Sequence, residues 1–358
     1  MRRLLVIPLA AAAAWGPSAC HARPSAPVAT LAAGPDTVQT GYTEITSGAW
    51  LRGDRWAVVA PADESAGVVD LGTRRLTPLT AGKKSALRNP STLFRSGDTL
   101  YLNDWGLRRT TLWSLDGRYL HEVPSSDAAR GVPPQGRDAA GRFYYEIAPR
   151  PGPDGGGNHD SAAVLRSGAD PVRLDTIARL APLDITEIQG DAGRRFERRV
   201  FSGNDHWGVL PDGSLWVARV YDNRVDWRDP AGRWSRGEAL PDRVLEVTRY
   251  DRELFLRKFP PELRATAEQL PFAAIKPPFE EALTSSSGEV WLEKSRAPAD
   301  SVRRYHVVGR DGGLVREVHL PGTGRIIAVG GADALVSEPT RDGARLVRFR
   351  VPVAAATH

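Results

Sequence analysis

Cysteine is almost missing from these 358 residues: Cys20 stands alone, so a disulfide framework is excluded. A run of apolar residues long enough to span a bilayer is not what opens the chain either. Leu4–Trp15 is about a dozen residues, short of the ~20 a membrane helix needs, and Pro8 interrupts it. Charge of one sign is not in strong excess, with 48 Lys and Arg against 43 Asp and Glu. A nucleic-acid binder usually concentrates its basic residues on one face. Here the one dense cluster is Arg194, Arg195, Arg198 and Arg199, split by Phe196 and Glu197, and it reads as a solvated loop. Signatures of catalysis are missing too. There is no G-x-S-x-G, no H-E-x-x-H and no acidic EF-hand loop, and Gly82-Lys83-Lys84-Ser85 lacks the first glycine of a phosphate loop. The seven histidines, at 21, 121, 159, 206, 306, 319 and 358, show no metal-ligand spacing.

Aromatic residues are plentiful. Ten Trp, nine Phe and eight Tyr with mixed charge indicate a folded chain. The start is a leader. Met1–Arg3 is basic, Leu4–Trp15 is apolar, and small residues precede Cys20, which together form a secretory signal over 1–20. Pro17-Ser18-Ala19-Cys20 resembles a lipobox, with Pro17 where Leu is preferred, and the resemblance implies lipidation at Cys20; cleavage after Ala22 competes. Residues 21–36, rich in Ala and Pro, read as a tether, and 353–358 as a tail.

From Thr37 the chain is a series of short strands and tight turns. Gly53, Gly97, Gly141, Gly213, Gly288 and Gly331 each precede a β-rich stretch, at intervals of 44, 44, 72, 75 and 43. A second series, Gly72, Gly117, Gly168, Gly232 and Gly312, follows about 19 to 27 residues behind. A period near 44 is one four-stranded propeller blade. The expected fold over 37–352 is therefore all-β, a six-bladed β-propeller, with a β-sandwich pair as the competing architecture. The last unit lacks a fourth strand, and Val38–Ile45 is expected to supply it and close the ring. A small helical insert is expected at about 249–281, between blades 4 and 5, with Leu254, Phe255, Leu263 and Leu270 packing and Pro261 opening its second helix.

The stretches Leu210–Val217, Val244–Thr248 leading into the charged insert, Gln269–Phe272, Lys276–Phe279 and Ser287–Leu292 make the chain resemble the exported, NHL/TolB-like six-bladed β-propellers of bacteria. The resemblance implies a fold and a cell-envelope location, periplasmic or extracellular, and carries no established activity.

Two functional classes stay open: a monomeric binding or scaffold module for a protein, peptide or glycan, and a propeller hydrolase such as a metal-dependent lactonase. No cofactor is required by any motif; for the hydrolase, calcium is the metal left open, with Asn103, Asp104, Asn204 and Asp205 as its contributors. No nucleic acid is expected as partner, and the membrane only through an N-terminal lipid. In a propeller the A–B and C–D turns share one face, while B–C loops and D-to-A crossovers share the other. The long connections fall on the second face, where recognition usually sits. The expected binding residues are Asp104, Trp105, His159, Asp205, His206, Tyr221 and Arg224, with the insert as a partial cap. Asp205 with His206 offers acid–base chemistry or a hydrogen-bonded channel lining. Gly155–Asp160 is a ligand loop or a hairpin tip, whereas Trp56, Trp216 and Trp291 pack blades.

Overall fold

The computed structural model describes residues 26–80, 86–149, 161–168, 173–190 and 193–352. Residues 1–25 with Cys20, 150–160 with His159, and 353–358 lie outside these residues.

Two strands, β1 (Val28–Thr30) and β2 (Ala32–Gln39), come first. Blade 1 is β3 (Ser47–Arg52), β4 (Arg55–Ala60), β5 (Ser65–Asp70) and β6 (Arg75–Pro78); blade 2 is β7 (Pro90–Ser96), β8 (Thr99–Asp104), β9 (Arg109–Ser114) and β10 (Tyr119–Pro124). Blade 3 is β11 (Gly136–Arg137), β12 (Phe143–Ile147), β13 (Ala163–Ser167) and β14 (Leu174–Arg179). A separate hairpin, β15 (Ile185–Gly190) and β16 (Gly193–Arg198), leads to blade 4: β17 (His206–Val209), β18 (Leu215–Arg219), β19 (Arg224–Arg228) and β20 (Trp234–Ser235). Helices α1 (Arg249–Leu256) and α2 (Pro261–Glu268) separate it from blade 5: β21 (Phe279–Thr284), β22 (Val290–Lys294), β23 (Val302–Val308) and β24 (Leu314–Pro321). Blade 6 is β25 (Arg325–Gly330), β26 (Asp333–Thr340), β27 (Gly343–Arg350) and, returning from the other end of the chain, β2. The protein is a six-bladed β-propeller.

The turn repeat has two physical causes. Gly53, at φ +50°, opens a two-residue hairpin turn that demands the left-handed region. Gly141, at φ +83°, belongs to a wider turn in which the Arg142 N–H donates to the Asp138 carboxylate at 2.9 Å. The same clamp recurs with Arg233 on Asp229, Arg118 on Ser114 and Glu289 on Ser285. Strands with blades on both sides are buried on both faces, which is why Trp56, Trp216 and Trp291 sit fully inside the blade interfaces. Apolar clusters fill the seams between blades 1 and 2, 3 and 4, 4 and 5, 5 and 6, and 6 and 1. The seam between blades 2 and 3 is aromatic and polar instead. Tyr101 meets Phe143 edge-on at 5.9 Å, with Arg137 over both rings.

The closing strand is N-terminal, but it lies earlier than Val38–Ile45. β2 pairs antiparallel with β27 from Ala32↔Arg350 to Gln39↔Arg345, Thr40 and Tyr42 still bond the Ala344 backbone, and Thr43 is already bonded to Asp63 of blade 1. The stretch 26–36 is accordingly not a tether. Leu31 inserts into the core, Gly34 has its Cα side close against the Arg348 carbonyl, and Pro35 is tolerated because β2 is an edge. β1 adds parallel to the outer edge of blade 5, with Val28 opposite Glu317. Both edges are thereby covered.

Two further expectations change. Arg194–Arg199 is no loop: its residues form β16 and the turn after it, with Arg194 paired to Glu187, Arg195 to Glu197 and Arg199 to Asp184. The insert has two short helices, the first closed by a capping box between Thr248 and Asp251. Of its expected packing residues, Phe255 stacks against Phe201, Phe259 and Phe272, whereas Leu254 and Leu263 are exposed.

Candidate functional site

The hairpin and the helical insert are consecutive D-to-A crossovers, so both rise from one face of the ring. They are tied together: Val200 N–H donates to the Pro271 carbonyl, Ala273 N–H to the Val200 carbonyl, and Lys276 pairs with Asp251 at 2.6 Å. Blade 4 lies beneath them.

Asp205, which precedes β17, is the hinge of the local structure. Its buried carboxylate accepts the backbone N–H groups of Ala181 and Val220, each at 2.9 Å, and pairs with Arg219 at 2.9 Å. From Arg219 the charges alternate outward along the blade face. Arg219 meets Asp226 at 3.3 Å, Asp226 meets Arg224 at 2.8 Å, and Arg224 meets Asp222 at 2.5 Å. Burial works against the Arg224 charge, yet the hydrogen bond it donates to Asp226 and both neighbouring carboxylates outweigh it and raise its pKa. Beside this ladder opens a hollow of about 250 Å³, lined by Ala181, Asp205, Arg219, Tyr221, Asp222, Arg224 and Asp226. Tyr221 forms its rim. The ring is 63% exposed, and the hydroxyl donates to the Pro182 carbonyl at 3.3 Å. Partial burial, then the Asp184 and Asp205 carboxylates, push its hydroxyl pKa up. A larger hollow of about 440 Å³ is lined by Arg130, Ile147, Pro149, Ser161 and Arg179 of blade 3 and the segment before it.

Three of the expected residues, Asp205, Tyr221 and Arg224, thus share one hollow. The others do not join them. Asp104 is fully buried and accepts the N–H groups of Arg88, Asn89 and Leu107, so its oxygens hold a crossover and a turn together rather than facing solvent. Trp105 is 44% exposed, but on blade 2, with blade 3 between it and Tyr221. His206 opens β17, its ring 5.9 Å from Phe279 of the next blade. Burial lowers its pKa against the pull of Glu281 and Asp205. Asn103 donates to the Pro134 carbonyl at 2.6 Å and accepts from Thr110. Among the described residues no three His, Cys, Asp or Glu side chains are placed to hold a metal ion.

Arg219, Asp222 and Asp226 escaped sequence reasoning. A signal existed: Asp226 sits between Val225 and Trp227 within a strand, where a carboxylate must find a partner. The same sign marks Glu293 in β22, which pairs with Arg303 and, at 2.8 Å, with Arg325 across the blade 5–6 seam.

No family model and no curated protein matches the sequence. Solved structures do. An exported protein of Bacteroides fragilis, described as putative, aligns at TM-score 0.53 and 8% identity over 91% of this chain and 99% of its own. A member of the DUF4221 family from Bacteroides vulgatus aligns at TM-score 0.50 and 9% identity over 91% and 98%. Likeness at this level of identity establishes the shared fold.

Proposed function

We propose that the protein is an exported, monomeric binding module of the cell envelope, an NHL-type propeller that takes its ligand at the seam between blades 3 and 4. The observation that carries this reading is the hollow between blade 4 and the start of the crossover at Ala181, where a rigid, paired charge ladder and an exposed tyrosine converge. Preformed concavities with a few fixed polar groups are where small ligands and polymer ends usually bind. The leader supports export, and lipidation at Cys20 would hold the propeller at a membrane.

Capture from envelope extracts on immobilised protein tests it. Tyr221→Ala should reduce retention of the captured material by about tenfold with the melting temperature unchanged. Changes on the opposite face, Arg118→Ala and Arg233→Ala, should leave retention as it was. Retention that survives Tyr221→Ala and fails with the opposite-face variants would reverse the assignment of faces.

A further inference from the structure

We infer that the ligand of this seam is a neutral carbohydrate, a conclusion that rests on the seam being the binding site. The charges of the hollow argue first. Three carboxylates, Asp205, Asp222 and Asp226, alternate with the guanidinium groups of Arg219 and Arg224. A phosphate or carboxylate ligand would have to displace an internal partner from each arginine, and the carboxylates would repel it. A divalent cation fares no better, because Arg219 stands between Asp205 and Asp226 and Arg224 between Asp226 and Asp222. What the ladder still offers is a row of fixed donors and acceptors placed side by side. Guanidinium groups only donate and ionised carboxylates only accept, whereas a hydroxyl does both. Neighbouring hydroxyls of a sugar match an alternating row of that kind without any net charge of their own.

The aromatic rim argues second. Tyr221 presents its ring to solvent while its hydroxyl is tied to Pro182, so the ring is held in place before any ligand arrives. A rigid aromatic supplies a large contact area at little entropic cost. Trp234 is 44% exposed with the Arg219 guanidinium 5.9 Å from its ring centre, but it stands at the far end of β19, outside the hollow's lining. A pyranose ring has apolar C–H faces and a polar hydroxyl edge. The seam has the complementary pair. Its volume, below the roughly 300–1,000 Å³ of drug-sized sites, suits one or two sugar residues of a chain that continues along the open side.

Affinity electrophoresis through gels containing dextran, mannan, galactan or xylan tests the inference, with an oligolysine peptide and inorganic phosphate as charged probes in a thermal-shift assay. At least one neutral polysaccharide should retard the full-length protein, with little dependence on salt, since no ion pair forms on binding. Tyr221→Ala should weaken that retardation about tenfold, and Arg233→Ala should not change it. Failure of every neutral polysaccharide to retard the protein overturns the carbohydrate assignment. If oligolysine then stabilises the protein in a Tyr221-dependent way, the seam stands and its ligand is a basic peptide. If envelope capture is also indifferent to Tyr221→Ala, the seam itself is wrong.

Discussion

Arg348 is where the ring is locked, and replacing it with Met should show how much the lock contributes. The guanidinium, only 12% exposed, reaches three elements: Asp36 on β2 at 3.3 Å, Asp54 in the first turn of blade 1 at 2.8 Å, and Asp333 at the start of β26 at 3.7 Å. Met keeps the apolar stem and removes the charge. Asp54 is half exposed, and losing its pair costs about 0–1 kcal/mol. Asp36 and Asp333 are more enclosed, although Asp333 keeps Arg350 at 3.1 Å. Stranding a fully buried charge costs about 3–5 kcal/mol, so these partly buried ones suggest roughly 2–3 kcal/mol in all. At about 2 °C per kcal/mol for a chain of this size, the melting temperature should fall by roughly 4–6 °C. Asp36→Asn in the same background should add less than it does alone, because the two share one interaction. A variant that melts within about 1 °C of the parent would refute the closure argument.

Three other outcomes are expected. Burial, then the Lys294 charge, lowers the His306 pKa from 6.5 to about 4 despite Glu317, while Arg304 also opposes protonation. The unfolded chain therefore takes up a proton that the fold refuses, and stability should be full above pH 6.5 and fall toward pH 4; His306→Gln should flatten that slope in a pH series of urea melts, and an unchanged slope would exclude His306 as its source. Gly330→Ala should cost about 1–3 kcal/mol, because a Cβ there would lie 2.2 Å from the Trp50 side chain across the blade 6–1 seam, and a melting temperature equal to the parent's would contradict that contact. Mass spectrometry of the native N-terminus should find a lipid on Cys20, and a chain beginning at Arg23 would show ordinary leader cleavage instead.

The fold was legible because its turns carry chemistry as well as glycine. Asp138-Ala139-Ala140-Gly141-Arg142 and Asp229-Pro230-Ala231-Gly232-Arg233 repeat one side-chain clamp on the backbone, so the turns look alike although the strands beside them do not. The closing strand was placed too late because its anchors, Leu31 and Val38, stand seven residues apart among Ala, Gly and Pro, a composition that reads as a tether. Site residues were harder still. Asp104 and Asp205 look alike in sequence, each at the edge of a strand and beside an aromatic or a histidine. Only the structure separates a carboxylate sealed by three N–H groups from one that also reaches an arginine at the edge of a hollow.

The position of that hollow follows from where the blades are thinnest. The inner strand of blade 3, β11, and the outer strand of blade 4, β20, have two residues each. Short strands leave backbone N–H groups that no ladder can satisfy, and a buried donor without a partner is expensive. Side chains take over that task around the seam. Asp205 holds the crossover at Ala181 and the end of β18, Asp226 accepts the Gly237 N–H where β20 has already ended, and Asn223 donates to the Leu240 carbonyl. Carboxylates recruited for backbone duty must then be neutralised, and Arg219 and Arg224 do so. Arg219 is the most open of these four charged side chains, at 21%, and along the ladder beyond them only Asp222, at 50%, reaches well into solvent. A hollow at this seam is thus a consequence of truncated sheets: the same paired charges that replace missing ladder bonds line it, fixed in place before any ligand arrives.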